Sequence, residues 1–266
     1  MSQLTAQQPQ QKLDENGRRR LVQVFGLVVV YALLLFLSAG TLRWWNAWAY
    51  LGLFLLAILT GGLYVARRRP AAINERGRSS EQTKPFDRLF SAVAAPLALS
   101  ALVVAGLDQR FGWSAVPLWA QIAGFIGLLP GSYLPYWVMW VNAYAATSVR
   151  VETGRGQHVI DDGPYRFVRH PMYTGMILSD LFLPLALGSW WAAVPAGLMI
   201  ALVIWRTARE DQTLRAELPG YADYAQRIRF RLLPRLWCAL RDSPNRSPYG
   251  AWWRGAIREN RATVGG

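Results

Sequence analysis

Cysteine and histidine are nearly missing from this sequence: Cys238 is the single cysteine, and His158 and His170 are the two histidines. One thiol permits no disulfide within the chain and no thiolate metal cluster. Two histidines are too few for a zinc site without several carboxylates beside them, so no metal is expected. Charge is scarce too, at 17% of residues, where soluble domains carry about 25%. What charge there is leans one way, with 29 Lys and Arg against 16 Asp and Glu. The net charge of +13 fits either a nucleic-acid surface or Lys and Arg collected on the cytoplasmic side of membrane spans. Their positions decide between the two. A cleavable signal is also not in view: Met1 to Asn16 reads as a polar, disordered tail, and the apolar run behind it is too long and lacks a small-residue cleavage site.

Long apolar runs, in contrast, are plentiful. A spanning helix takes about 20 mostly apolar residues. Leu21 to Gly40, Trp44 to Ala66, Leu89 to Leu107 and Pro117 to Asn142 each meet that length. From Met172 to Trp205 the chain is apolar for 34 residues, with a break near Gly188-Ser189. That is too long for one span and suits a hairpin of two short helices. The expectation is an all-α, polytopic integral membrane protein with five to six transmembrane helices, the sixth depending on whether the hairpin crosses fully or re-enters. With the N-terminus inside, only Arg43 and Arg110 of the 29 Lys and Arg residues fall in outer loops. This asymmetry is the positive-inside pattern. It accounts for the net charge, and nucleic acid is not an expected partner. Trp44, Trp45, Trp48, Trp113, Trp119, Trp190 and Trp191 gather at outer span ends, as an interfacial aromatic belt does. Both termini are expected on the cytoplasmic side, and the Ala, Arg, Leu and Gly-rich composition points to a bacterial inner membrane.

Two polar segments flank the last hairpin and share the inner face. One is Asp162-Gly163-Pro164-Tyr165-Arg166-Phe167-Val168-Arg169-His170-Pro171-Met172-Tyr173, the other Arg206-Thr207-Ala208-Arg209-Glu210-Asp211. The hairpin would hold them side by side. Taken singly, each residue has a plain explanation. His170-Pro171 opens a helix, because Pro suits the first turn, Tyr173 is an interfacial anchor, and Arg206 with Glu210 is an i,i+4 surface pair worth about 0.3 kcal/mol. Independent causes of that kind do not produce the joint pattern.

The pattern Gly163-Pro164-Tyr165-x-x-x-Arg169-His170-Pro171-x-Tyr173-x-Gly175, followed after the hairpin by Arg206-x-x-x-Glu210-Asp211-x-x-Leu214, resembles the isoprenylcysteine carboxyl methyltransferase family. Related phospholipid N-methyltransferases are integral-membrane enzymes of the same kind. The resemblance covers about residues 150 to 235. It implies S-adenosylmethionine as cofactor, bound from the cytoplasm by Gln157, His158, Val159, Ile160, Tyr165, His170, Pro171, Met172, Tyr173 and Glu210. It also implies that Arg206 addresses the acceptor, and that residues 143–237 are the catalytic region, between a tail at 1–20 with four helices at 21–142 and a basic tail at 238–266. The chain departs from the family in having Glu210-Asp211 for a Glu-Glu pair, Gln157 where eukaryotic members carry histidine, and an altered spacing in Leu218-Pro219-Gly220-Tyr221-x-x-Tyr224-x-x-Arg227.

The chemistry suits those residue types. Transfer of a methyl from a sulfonium is an in-line displacement in which the protein mainly aligns the partners. Faces of Tyr165 and Tyr173 attract a cation, and Glu210 accepts hydrogen bonds from a diol or an ammonium. A carboxylate acceptor with a pKa of about 4 is already ionised and needs no base, and a bidentate Arg206 would orient it. The expected reaction is O-methylation of a carboxylate on a lipophilic small molecule or lipidated substrate drawn from the membrane lipids. N-methylation of a phospholipid headgroup is the nearest alternative, and an NADPH-dependent sterol-reductase-like enzyme or a membrane scaffold are alternatives from other classes. Asp180, inside the fifth apolar run, is a functional candidate by position, against a plain pairing with a neighbour. Pro130, Gly131 and Pro135 are expected to kink the fourth span. The Arg241, Arg246, Arg254, Arg258 and Arg261 tail with Trp252-Trp253 either lies on an anionic surface or is disordered.

Overall fold

The computed structural model describes residues 12–78, 83–149 and 156–232; most of the polar N-terminal tail and the basic tail from Cys238 lie outside them. Among the described residues the chain is helical: α1 (Glu15–Ala39), α2 (Trp45–Ala57), α3 (Leu63–Arg68), α4 (Pro70–Gly77), α5 (Pro85–Phe111), α6 (Leu118–Val141), α7 (Pro171–Leu187), α8 (Ala193–Glu217) and α9 (Tyr221–Arg227). By length and composition four are able to cross a membrane: α1, the continuous Trp45–Arg68, α5 and α6. The 17-residue α7 and the apolar first half of α8 form the expected hairpin, turned at Gly188, whose φ is 75°.

Several boundaries differ from the sequence reading. Asp14 caps α1, accepting a hydrogen bond from Gly17 N at 2.8 Å, so the helix starts at Glu15, inside the stretch read as tail. The polar stretch after Arg69 holds α4, opened by Pro70 at its first position. Asn74 of α4 accepts from Asp14 N and donates to Lys12 O, both at 3.2 Å, which ties the residues before α1 to this helix. A π-helical turn, Ile58–Gly62, joins α2 to α3 where Gly61 and Gly62 meet the ring of Tyr136. Helix α6 runs on through Pro130 and Pro135. In the aromatic belt, Trp45, Trp48, Trp113, Trp119, Trp190 and Trp191 are exposed, but Trp44 is buried, because it caps α2 and packs into the core beside Leu51 and Ala192.

The loops after α1, α5 and α7 meet at one end. There Asp108, 2% exposed, accepts from Ser114 N at 2.7 Å, Ser114 Oγ at 2.6 Å and Ser189 Oγ. The tightest helix pair is α6 with α7. Small residues set their separation: a Cβ on Gly124 would lie 2.4 Å from Ala186 N, and one on Gly131 would lie 2.9 Å from Ser179 N. Close backbone approach of this kind is how helices associate where lipid removes the hydrophobic driving force.

Gly124→Ala is expected to destabilise the protein in detergent by about 1–3 kcal/mol, since backbone has to move to make room. Gly26, which has nothing within 4 Å, is the control: Gly26→Ala should leave the melting temperature unchanged or raise it slightly. Equal melting temperatures for wild type and Gly124→Ala would remove the close-packed seam from the account.

Candidate functional site

At the opposite, arginine-rich end a cavity lies between the end of α6, the residues before α7, and the polar half of α8. Gln157, His158, Val159, Ile160, Tyr165, His170, Pro171, Met172, Tyr173 and Glu210 all line it. Asn142, Tyr144, Leu214, Leu218, Tyr221 and Tyr224, which carried no site role in the sequence reading, line it as well.

The walls are held by a buried charge cluster. Asp211, with no exposed surface, lies 2.9 Å from Arg169 Nε and accepts from Arg215 Nε at 3.1 Å, Arg231 Nε at 3.1 Å and Tyr221 OH at 3.0 Å. His170 Nε2 is 3.3 Å away. Burial alone would raise the Asp211 carboxyl, but the His170 hydrogen bond and charge and then the guanidiniums of Arg169 and Arg231 hold it well below the usual carboxylate range. Backbone bonds extend the cluster: Arg169 N donates to Phe230 O and His170 N to Arg231 O, each at 2.9 Å. Arg169 Nη1 reaches Ala225 O and Ile228 O at 3.0 Å. The segment after α9 is thereby laid along the entry to α7, and Tyr221 and Tyr224 face the cavity. His170 consequently sits on the wall with its Nε2 turned to Asp211 and Tyr221, and its ring stacks 5.8 Å from that of Tyr173.

Tyr165 reaches the cavity through the Gly163-Pro164 turn. Gly163 has a φ of 57° and packs within reach of Val141 and Trp137, where a side chain would crowd both. Asn142 Nδ2 donates to Tyr165 OH at 2.7 Å, and Tyr224 OH donates to Tyr165 O at 2.8 Å. Burial pushes the Tyr165 hydroxyl up to about 12, with the Asn142 hydrogen bond acting against it. Across the cavity Tyr173 OH donates to Glu210. His158 is exposed, its Nδ1 3.0 Å from Gly156 O, and its ring meets Tyr144 edge-on at 5.6 Å.

Arg206 stands apart from this wall. Its Nε donates to the fully buried Asp87 at 2.6 Å, its Nη2 to Thr147 O at 3.0 Å, and its guanidinium lies 4.4 Å from the Phe90 ring and 4.9 Å from the Tyr173 ring. The other oxygen of Asp87 accepts from Val149 N at 2.8 Å. The acceptor-addressing role read for Arg206 therefore meets a side chain already committed to a buried ion pair behind Tyr173. Asp87 escaped the sequence reading, because an acid two residues after Pro85 looks like ordinary helix-start chemistry.

A second, larger and mostly apolar cavity lies among α1, α2, α5, α6 and α7. Arg20 and Arg76 line it, and among the described residues neither has a carboxylate partner. Burial and then the like charge of Arg20 push Arg76 down to about 10, so it stays charged at neutral pH. Arg76 Nη1 donates to Met172 Sδ at 3.0 Å and to Ala145 O at 3.3 Å. Since Met172 lines the first cavity, the two cavities share a wall at that contact.

A family model described as phospholipid methyltransferase matches residues 119–218. The match runs from α6 through α8, so it reaches further toward the N-terminus than the motif resemblance and takes in the helix that packs on α7. No curated protein matches the chain. The matched part is thus similar to a membrane methyltransferase family, and the all-α membrane architecture agrees with it.

Asp211→Asn should cost about 3 kcal/mol or more, because it strands the buried Arg169 guanidinium. The depressed Asp211 carboxyl also sets a pH window: its stabilisation is complete above about pH 4, the unfolded value, and is lost as pH falls below that toward the folded value. Thermal unfolding in detergent should be flat between about pH 7 and 5 and should drop below about 4 in wild type. An Asp211→Asn variant that kept the same acid-induced drop would show that other groups cause it.

Proposed function

We propose that this protein transfers a methyl group from S-adenosylmethionine to an anionic, lipophilic acceptor, with the donor in the Asp211-supported cavity and the acceptor in the apolar one. The observation that carries the reading is the shared wall, where Met172 of one cavity touches Arg76 of the other. Two guanidiniums facing an apolar cavity without carboxylate partners are costly unless an anion joins them, and an acidic lipid supplies one. The cofactor, when bound, supplies an electrophilic methyl group. Toward it Tyr165 and Tyr173 offer aromatic faces, Glu210 offers acceptor oxygens, and Val159, Ile160, Leu214 and Leu218 offer an apolar wall for a flat base. Arg206, from behind Tyr173, acts as a positioning residue. Arg76 and Arg20 orient the acceptor's acid, which is ionised at neutral pH and needs no base.

A second reading is favoured by the family match: the acceptor is a phospholipid amine, with its phosphate against Arg20 and Arg76. A reductase reading fares worse. Arg169 is the arginine on the donor-cavity wall among the described residues, and Asp211 and two carbonyls occupy it, which leaves no arginine cluster there for a nucleotide phosphate.

Calorimetric titration of the detergent-purified protein with S-adenosylhomocysteine, with NADPH in parallel, tests the donor half. Micromolar binding of the former, lost at least tenfold in Glu210→Ala, is expected; binding of NADPH alone sinks the proposal. Transfer of labelled methyl to a long-chain carboxylic acid versus phosphatidylethanolamine then separates the two acceptor readings. Arg76→Gln should keep S-adenosylhomocysteine affinity within about twofold while losing turnover by about a hundredfold or more, the scale of a misplaced reactant. Turnover unaffected by Arg76→Gln but lost in Arg206→Ala with cofactor affinity intact would return the acceptor role to Arg206.

A further inference from the structure

The apolar cavity is not apolar throughout. Asp180 of α7, Tyr31 of α1 and Tyr50 of α2 line it together, well away from its arginine rim. The rings of Tyr31 and Tyr50 stack 6.4 Å apart, and Asp180 lines the same cavity. Among the described residues none of the three makes a hydrogen bond, and Asp180 has no ion pair. An acid and two phenols without partners, gathered in the apolar interior of a membrane protein, are expensive unless something meets them.

Their depth follows from helix geometry. Asp180 is eight residues past Met172, about 12 Å along α7, and Tyr31 is eleven residues past Arg20, about 16 Å along α1. Both helices therefore set the polar group at a similar distance from the rim. We infer that the acceptor cavity selects a hydroxylated acidic lipid, with its acid at Arg20 and Arg76 and a hydroxyl at Asp180, Tyr31 and Tyr50. The hydroxyl donates to the Asp180 carboxyl group and accepts from a tyrosine, a pairing that an unsubstituted chain cannot make. An extended alkyl chain advances about 1.25 Å per C–C bond, which places the hydroxyl roughly ten to thirteen carbons from the acid. This inference rests on the proposal that the apolar cavity holds the acceptor.

The test compares binding of radiolabelled octadecanoic acid with the same acid hydroxylated at about its twelfth carbon, on the full chain in detergent. S-adenosylhomocysteine binding serves as the fold check. The hydroxylated acid should bind about tenfold more tightly, the size of one hydrogen bond. Asp180→Leu should erase that preference while leaving S-adenosylhomocysteine binding within about twofold. The Tyr31→Phe, Tyr50→Phe double variant, which removes no apolar surface, should reduce the preference in the same direction. Equal binding of the two acids in wild type overturns the hydroxyl selection and leaves the acceptor cavity standing. Failure of both acids to bind protein that does bind S-adenosylhomocysteine overturns the acceptor cavity, and the selection with it.

Discussion

A single carboxylate, Asp211, gathers three arginines, a histidine and a tyrosine around itself. Those partners come from the entry to α7, from α8, from α9 and from the stretch of chain behind α9. The entry to α7 and the stretch behind α9 are too short and too polar to hold a position by apolar burial alone, and Arg215 lies on the polar half of α8. Their order comes from charge neutralisation in a place where unpaired charge is prohibitive. The cavity wall is a by-product of that order: His170, Tyr221 and Tyr224 face the space they do because their neighbours are anchored to Asp211. A second buried pair, Asp87 with Arg206, does the same for α5 and the residues before 150, and it backs Tyr173 with a guanidinium.

Around these anchors the helices divide the labour. The glycine seam between α6 and α7 fixes the distance between α7, which lines both cavities, and α6, which lines the apolar one and ends at Asn142 beside the polar one. Met172 and Pro171 stand at the start of α7, facing the polar cavity, and Ser179 and Asp180 stand further along it, facing the apolar one. One helix thus carries the boundary between a polar compartment and a lipid-like one. The reading of methyl transfer between the two depends on that boundary being thin at Met172.

Much of this was legible in the residues. Apolar runs marked the membrane-crossing helices, though not α4 or the polar half of α8, and the break at Gly188 marked the hairpin, because a left-handed turn there needs glycine. The motif around Gly163 to Tyr173 and the Glu210 turn led to residues that line one cavity, since the hairpin forces its two ends together. What stayed hidden were pairings across long separations. Asp87 and Arg206 are 119 positions apart, and nothing local marks either as the other's partner. Arg20 and Arg76 looked like two more members of a positive-inside crowd; only a shared apolar cavity in which neither has a carboxylate partner sets them apart. Asp211 looked like a mild variant of a second glutamate, and its role emerges only when Arg169, Arg215 and Arg231 converge on it.

Helix α7 has 17 residues, about 26 Å of helix, and the hydrocarbon core of a typical bilayer is about 30 Å thick. The shortfall falls on the very helix that carries both cavities. Were α7 to cross the bilayer, lipid beside it would have to thin, or flanking side chains would have to stretch to the interface, and either response would draw headgroups and water inward on that side. An amphiphile approaching along α7 would then meet the arginine rim with a shorter climb out of the membrane than elsewhere around the protein. Hydrophobic mismatch thereby makes membrane thickness itself a variable that acts on this site, with thinner bilayers matching the helix as it stands.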